Sequence, residues 1–156
     1  MNSKLSVAET SIIIVVSEFN QSIIENLLQG ALDAFVNHGG IRSDIQIYRV
    51  PGAFEIPGVI VQITKHQFPD AIVALGAVIR GETPHFDFIA GESARGIAEI
   101  SRSLDIPVIN GILTTDTTQQ AVDRSQVGGR NKGWDAMEAA LQTISVYQSM
   151  HTASQC

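Results

Sequence analysis

The sequence predicts an α/β fold, a four-stranded parallel sheet with helices on both faces. Three observations lead there. Four short strand-like runs recur along the 156 residues, and each is followed by a stretch with helical spacing. The first and third runs are apolar without alternation, as in strands buried on both faces. No repeat, low-complexity tract or linker interrupts the series. Parallel pairing through right-handed crossovers in one domain follows.

Each element has a local reason. Ser11–Val16 is β-branched and continuous, which suits a first strand. Asn20 is placed to cap the helix after it. Ile23, Leu27, Ala31 and Phe35 then repeat at helical spacing until Gly39-Gly40 ends the helix. Ile45–Val50 is the second strand, closed by Pro51-Gly52. A helix from about Phe54 to Lys65 carries Pro57 in its first turn, where a missing N–H costs little. Ala71–Ile79 is the third strand, and its helix runs from Pro84 to about Leu104. Val108–Leu113 is the fourth strand. Asp116 or Thr117 caps a helix to about Val127, the Gly128-Gly129 pair breaks it, and a last helix spans roughly Lys132–Met150. Residues 1–10 and the tail after Met150 (151–156) read as loosely held ends of one domain spanning 1–156, unless a partner chain orders them.

Bulk properties narrow the function. The formal net charge of −6 argues against non-specific binding to nucleic acid or an anionic membrane. The only cysteine is Cys156, so no internal disulfide forms, and a reducing cytoplasm fits. No apolar stretch approaches the roughly 20 residues of a membrane span, and the run Ile12–Val16 is shorter than a secretory h-region.

In open α/β sheets, ligands bind outside the carboxyl ends of the strands. There the sequence places Ser17, Glu18, Phe19 and Asn20, then Gly52, Ala53, Phe54 and Glu55, then Arg80, Gly81, Glu82, Thr83 and His85, and finally Thr114, Thr115 and Asp116. The third group is the most informative. A cation, flexible backbone, a helix N-terminus and an imidazole gather at one strand end. The free N–H groups of a helix start suit a phosphate, and histidine moves protons near neutral pH. The segment proposes a site that holds a phosphorylated small molecule and performs acid–base chemistry on it.

Other residues carry two readings. Phe19 is either a hydrophobic staple on the following helix or a stacking platform. Glu55 either complements a helix dipole or binds ligand. Arg124 and Lys132 are either solvated charges or site residues. His38, His66 and His151 read as surface residues. The chain has no GxxxxGK[ST] or GxGxxG loop, no zinc-spaced cluster and no nucleophile elbow, so metal catalysis and covalent acyl chemistry lack support.

Five segments together resemble one known family. They are Ser-Glu-Phe-Asn at 17–20, Val-Pro-Gly-Ala-Phe-Glu-Ile-Pro at 50–57, Gly-Ala-Val-Ile-Arg-Gly-Glu-Thr-Pro-His-Phe-Asp at 76–87, Gly-Ile-Leu-Thr-Thr-Asp-Thr at 111–117 and Asn-Lys-Gly-Trp-Asp at 131–135. In order and spacing they are similar to 6,7-dimethyl-8-ribityllumazine synthases, which make the penultimate intermediate of riboflavin. The resemblance implies a flavodoxin-like subunit, a three-layer sandwich, and a reaction with no cofactor and no metal. Its substrates would be 5-amino-6-(D-ribitylamino)uracil and L-3,4-dihydroxy-2-butanone 4-phosphate. Carried over by motif, Phe19 stacks on the pyrimidine. Ala53, Phe54 and Glu55 bind the ribityl chain, and the backbone of Val78 and Ile79 reads the uracil edge. Glu82 and Thr83 supply amides to the phosphate, with Arg124 as its cationic clamp. His85 shuttles protons, while Lys132 and Asp135 sit near the pyrimidine. In the family the Arg124–Asp135 segment comes from an adjacent subunit.

The same resemblance implies pentamers, in some members closed into a 60-subunit icosahedral capsid. The short Ser125–Lys132 connection favours the capsid, and Lys4–Val7 are placed to extend a neighbour's sheet. Riboflavin synthase is a candidate partner. Three positions depart from the family pattern. Glu18 stands where arginine is common, Asn110 where an aromatic often encloses the ligand, and Gly128 where lysine is frequent. A non-catalytic flavin-binding or storage shell is the main alternative, and intact His85, Arg124 and Lys132 argue against it. A receiver-type signalling domain would need a phosphoacceptor aspartate after the third strand, where Ile79-Arg80-Gly81 stands instead.

Overall fold

A computed structural model describes Val7 and residues 9–154. Four strands, β1 (Ile12–Ser17), β2 (Ile45–Val50), β3 (Ala71–Ile79) and β4 (Val108–Thr115), form one all-parallel sheet in the order β2-β1-β3-β4. The helices between and after them are α1 (Gln21–Asn37), α2 (Ile56–His66), α3 (His85–Ser103), α4 (Thr118–Asp123) and α5 (Lys132–Ser154). This is the flavodoxin-like order. The expected α/β class and the four alternations of strand and helix are both present.

Period-two geometry explains why the central strands are apolar throughout. Successive side chains leave a strand on opposite faces. Ile12, Ile14 and Val16 of β1 and Val73, Leu75 and Ala77 of β3 pack on one side with α1 and α5. Ile13 and Val15 of β1 and Ile72, Ala74 and Val78 of β3 pack on the other side with α2 and α3. Two cores therefore share one sheet, and β1 is buried at all six positions. Each fully buried Ile or Leu contributes roughly 1.5–3 kcal/mol from leaving water.

The α1–α5 contact is unusually close. A Cβ on Gly133 would lie 1.9 Å from the Leu27 carbonyl oxygen, and one on Gly30 would lie 2.1 Å from Asn131 Oδ1. Asn131 fastens the crossing. Its side-chain amide donates to the Asn26 carbonyl at 3.0 Å, and its Oδ1 accepts from the Trp134 amide, closing the first turn of α5. The buried apolar stripe of α1 then meets Ala136, Met137, Ala140, Leu141 and Ile144 of α5.

Several boundaries differ from the sequence reading. Asn20 makes no side-chain cap. It sits in the left-handed region at φ 64°, and only its carbonyl joins α1, accepting from the Ile24 amide at 3.0 Å. Asparagine tolerates that conformation better than most residues. Thr117 rather than Asp116 caps α4, in a reciprocal capping box with Gln120. That helix ends at Asp123, short of Val127, because the chain turns back to pair Ser125 with Asn131. The last helix outruns Met150 to Ser154, so residues 151–154 are helical rather than a loose tail. Lys4–Ser6 lie outside the described residues, as do 155–156, and Val7 is buried against the first core.

Among the described residues, no helix is long and apolar enough to cross a membrane, and no three His, Cys, Asp or Glu side chains gather as a metal site would require.

The glycine contacts give a paired test. Gly133→Ala forces α1 and α5 apart and is expected to destabilise the fold by about 3 kcal/mol. Gly58→Ala, in α2 with open space at its Cβ, is expected to be neutral or stabilising by about 0.5–1 kcal/mol. Thermal and urea denaturation of the two variants at matched concentration reads the difference.

Candidate active site

The strand ends are staggered, and the stagger opens a cleft. β1 pairs with β3 only as far as Leu75, so the β1-facing edge of Gly76–Ile79 has no strand partner. Backbone N–H and C=O groups on such an edge are available to a ligand. A cleft of about 800 Å³ lies there, lined by Phe19, Ala53, Phe54, Glu55, Val78, Ile79, Thr83 and His85 among others.

Each wall has a local cause. The left-handed turn at Asn20 throws Phe19 outward, leaving it 65% exposed. A staple would have buried it on α1; instead it lines the cleft. After β2, Pro51-Gly52 leads into a single 3-10 turn, Ala53–Glu55, in which the Glu55 amide donates to the Gly52 carbonyl. Ala53 is buried and anchors the turn, while Phe54 and Glu55 project into solvent. Apolar walls with few polar groups, here Glu55, Thr83 and His85, suit a planar polar molecule. His85 opens α3, and its backbone amide donates to Thr83 Oγ1 at 3.4 Å.

Arg80 does not serve this cleft. Its Nε donates to Asp116 Oδ1 at 2.8 Å, a terminal nitrogen lies 3.5 Å from Asp87 Oδ1, and the guanidinium covers the Phe86 ring at 4.5 Å. The Asp116 hydrogen bond chiefly, with the Asp87 charge, holds the guanidinium even more firmly protonated than usual. The cation expected to greet an anion at this strand end is instead a clamp. It ties the loop after β3 to the first turn of α3 and to the loop after β4.

The remaining charges lie elsewhere. A second, smaller cavity of about 290 Å³ is lined by Ile112–Thr115 of β4 with Arg124, Arg130, Lys132 and Asp135. Arg124 follows α4, and its guanidinium donates to the Gln120 carbonyl at 3.1 Å. The Lys132 amide donates to the Arg124 carbonyl at 2.8 Å, which holds the two cationic residues side by side. The two cavities share no residue.

One chain thus brings together Phe19, Ala53, Phe54, Glu55, Val78, Ile79, Thr83 and His85, and separately Arg124, Lys132 and Asp135. Glu82 and Asn110 line neither cavity. Glu82 is exposed in the loop before α3. Asn110 lies on edge strand β4, where its Oδ1 accepts from the Ile112 amide at 3.0 Å. Sequence reasoning missed Phe86 and Phe88 in the cleft, although both flank His85 within one helical turn. It also missed Arg130, which stands two residues before Lys132. His38 is not a surface residue as expected. Its ring is largely covered, with Nε2 3.5 Å from Glu138 Oε1. His66 ends α2 rather than lying in a loop.

A parallel sheet whose staggered strand ends carry an aromatic cleft and a separate cationic cavity has the form of an α/β domain with a ligand site at its strand ends. The chain belongs to the 6,7-dimethyl-8-ribityllumazine synthase family, whose sequence pattern matches residues 9–148. It is 43% identical over 150 residues to the 6,7-dimethyl-8-ribityllumazine synthase of Chloroherpeton thalassium, covering 96% of this chain and 97% of that protein. The family consists of transferases of riboflavin biosynthesis, and this chain is one of its enzymes.

The Arg80 clamp can be tested directly. In Arg80→Gln, amide exchange across residues 81–87 is expected to accelerate several-fold while the strands keep their protection. Mass-spectrometric hydrogen exchange measures both regions in one experiment. Unchanged exchange across 81–87 would refute the clamp.

Proposed function

We infer that the chain condenses 5-amino-6-(D-ribitylamino)uracil with L-3,4-dihydroxy-2-butanone 4-phosphate to give 6,7-dimethyl-8-ribityllumazine, in a site completed by two adjacent copies. The observation that carries the two-copy reading is the division of the site residues between two cavities with no common member. A ring built from repeated head-to-tail contacts would bring the first cavity of one copy against the second cavity of the next.

In that arrangement Phe19 stacks on the pyrimidine, and the free edge at Val78 and Ile79 takes up its polar rim. Ala53, Phe54 and Glu55 hold the ribityl chain. The amine attacks the ketone and water leaves to give an imine. Phosphate is then eliminated, the resulting enol tautomerises, and the second nitrogen closes the ring with loss of another water. His85 carries protons between these steps. Glu82 and Thr83 offer amides to the phosphate, and Arg124 of the adjacent copy neutralises it as it departs. Lys132 and Asp135 of that copy border the pyrimidine, with Asn110 on the edge strand beside them. Both substrates react readily once aligned, so holding them in contact supplies much of the acceleration.

The surface supports self-association. Of the 19 residues of α3 only Ser93 and Ile97 are buried, and Phe88 is 67% exposed. A long helix so poorly covered suits a subunit interface. The connection between α4 and α5 is short, in keeping with pentamers that close into a 60-subunit shell. We place the enzyme in the cytoplasm, as one domain, with riboflavin synthase as a candidate partner.

Absorbance at the lumazine band, starting from the two substrates, tests the reaction, and light scattering gives the assembly mass. His85→Ala is expected to lower turnover by roughly 10²–10⁴-fold while leaving phosphate affinity intact. Arg124→Ala is expected to raise the KM for the butanone phosphate and to spare pyrimidine binding. When the two impaired variants are unfolded and assembled together, and assayed at butanone phosphate far below the raised KM, full activity is expected to return at about one interface in four, because each functional site needs its two intact halves from different parents. Absence of any recovery in assembled mixtures would sink the shared site.

A further inference from the structure

The smaller cavity is not electrically balanced by the residues around it. Three cations line it, and Asp135 is its one carboxylate. The Arg124 guanidinium is satisfied only by a neutral carbonyl. Neither Arg130 nor Lys132 has an ion-pair partner among the described residues. This concentration of positive charge stands in a chain of formal net charge −6. Elsewhere Arg49, Arg80 and Arg95 each lie within ion-pair distance of carboxylates, whereas Arg42 and Arg102 form no such pair among the described residues.

The backbone fixes where Arg130 stands. Ser125 and Asn131 form an antiparallel bridge, the Gln126 amide donates to the Arg130 carbonyl at 3.0 Å, and the Gly129 amide donates to the Gln126 carbonyl at 3.1 Å. The turn between them passes through Gly128 at φ 78°, a conformation that favours glycine, so the tip carries no charge. The return limb is anchored by buried Asn131. Arg130 is therefore the cation that this short turn delivers to the cavity, six residues from Arg124 and two from Lys132.

We propose that Arg130 is a second cationic ligand of the substrate phosphate, acting beside Arg124 in the site shared by two copies. The proposal rests on the two-copy reading above. A phosphate monoester carries close to two negative charges at neutral pH, and planar guanidinium groups match its oxygens two at a time. Two arginines on one cavity wall would neutralise what one cannot. They would also oppose the charge that grows on the leaving group as the carbon–oxygen bond breaks. A surface role would leave Arg130 solvated and indifferent to anions.

The test uses the assembled full-length protein and inorganic phosphate, titrated calorimetrically. Arg130→Ala is expected to weaken phosphate binding about tenfold and to raise the KM for the butanone phosphate in proportion. The KM for the pyrimidine is expected to stay near its original value, while kcat at saturation falls with the lost opposition to charge on the departing phosphate. Arg130→Lys is expected to recover part of the affinity, because it restores charge without the fork. Circular dichroism and light scattering confirm fold and assembly, and Arg130→Gln serves if the alanine variant assembles poorly. An unchanged phosphate affinity in the alanine or glutamine variant overturns the proposal while leaving the reaction intact. Loss of phosphate affinity in a protein that forms no lumazine would instead keep the anion site and overturn the function.

Discussion

The unequal length of two paired strands governs this molecule. β3 has nine residues and β1 has six, and their pairing ends at Leu75. Up to that point both strands are buried on both faces, and they weld the two cores into one sheet. Beyond it, β3 continues alone on its β1 side while still bonded to β4 through Ile79 and Thr115. The same strand is thus core for most of its length and cleft-facing edge at its end. The rigidity of the first part is what fixes the second. A shift of β3 by one residue would exchange its two faces and move the free edge away from Phe19 and Glu55.

A second constraint is electrostatic. Arg80 stands nearest to the His85 helix start, yet Asp87 and Asp116 consume its charge. The cleft that contains the imidazole is left without a committed cation of its own. Arg124, Arg130 and Lys132, which form no ion pair among the described residues, lie on the β4 side, on and around the turn that precedes α5. Keeping them apart within one chain spares the isolated subunit a concentration of like charge beside its own cleft. The proposed meeting of the two cavities across an interface would make completion of the site depend on assembly. In the two-copy site proposed above, substrate phosphate would also stabilise that contact, by bridging groups from both copies.

Much of this was legible in the residues because it rests on local patterns. Unbroken apolar runs marked β1 and β3, since only burial on both faces tolerates them. Gly39-Gly40, Pro57 and the Asp116-Thr117 pair marked helix ends through backbone chemistry that belongs to those residue types. The rim residues Phe19, Phe54, Glu55 and His85 followed from where the strands stop. What was not legible depended on conformation or on distant partners. Asn20 has the composition of a cap, but its left-handed backbone turns the side chain out of reach. Arg80 had the position of an anion ligand, and only the fold reveals Asp116, 36 residues away, as its partner. His38 is covered by α5, through Glu138, 100 residues later. Arg130 drew no reading from sequence, and only the Ser125–Asn131 bridge shows which side of the turn it occupies.

The Asn131–Lys132–Gly133 sequence shows how packing and chemistry share one segment. Asn131 is buried and holds α1, Gly133 allows the backbones of α1 and α5 to touch, and Lys132 between them is left to face the cavity. Successive residues at a helix start point about 100° apart, so two structural neighbours necessarily aim the middle one outward. The tight α1–α5 crossing is therefore more than a packing detail. It orients Lys132, and through the Lys132–Arg124 backbone hydrogen bond it positions the end of α4 as well. A looser crossing would keep the fold and blur the cavity, because Asn131 and Lys132 tie the turn to α1 and to the end of α4. The close glycine contact and the charge of the cavity are two consequences of the same turn.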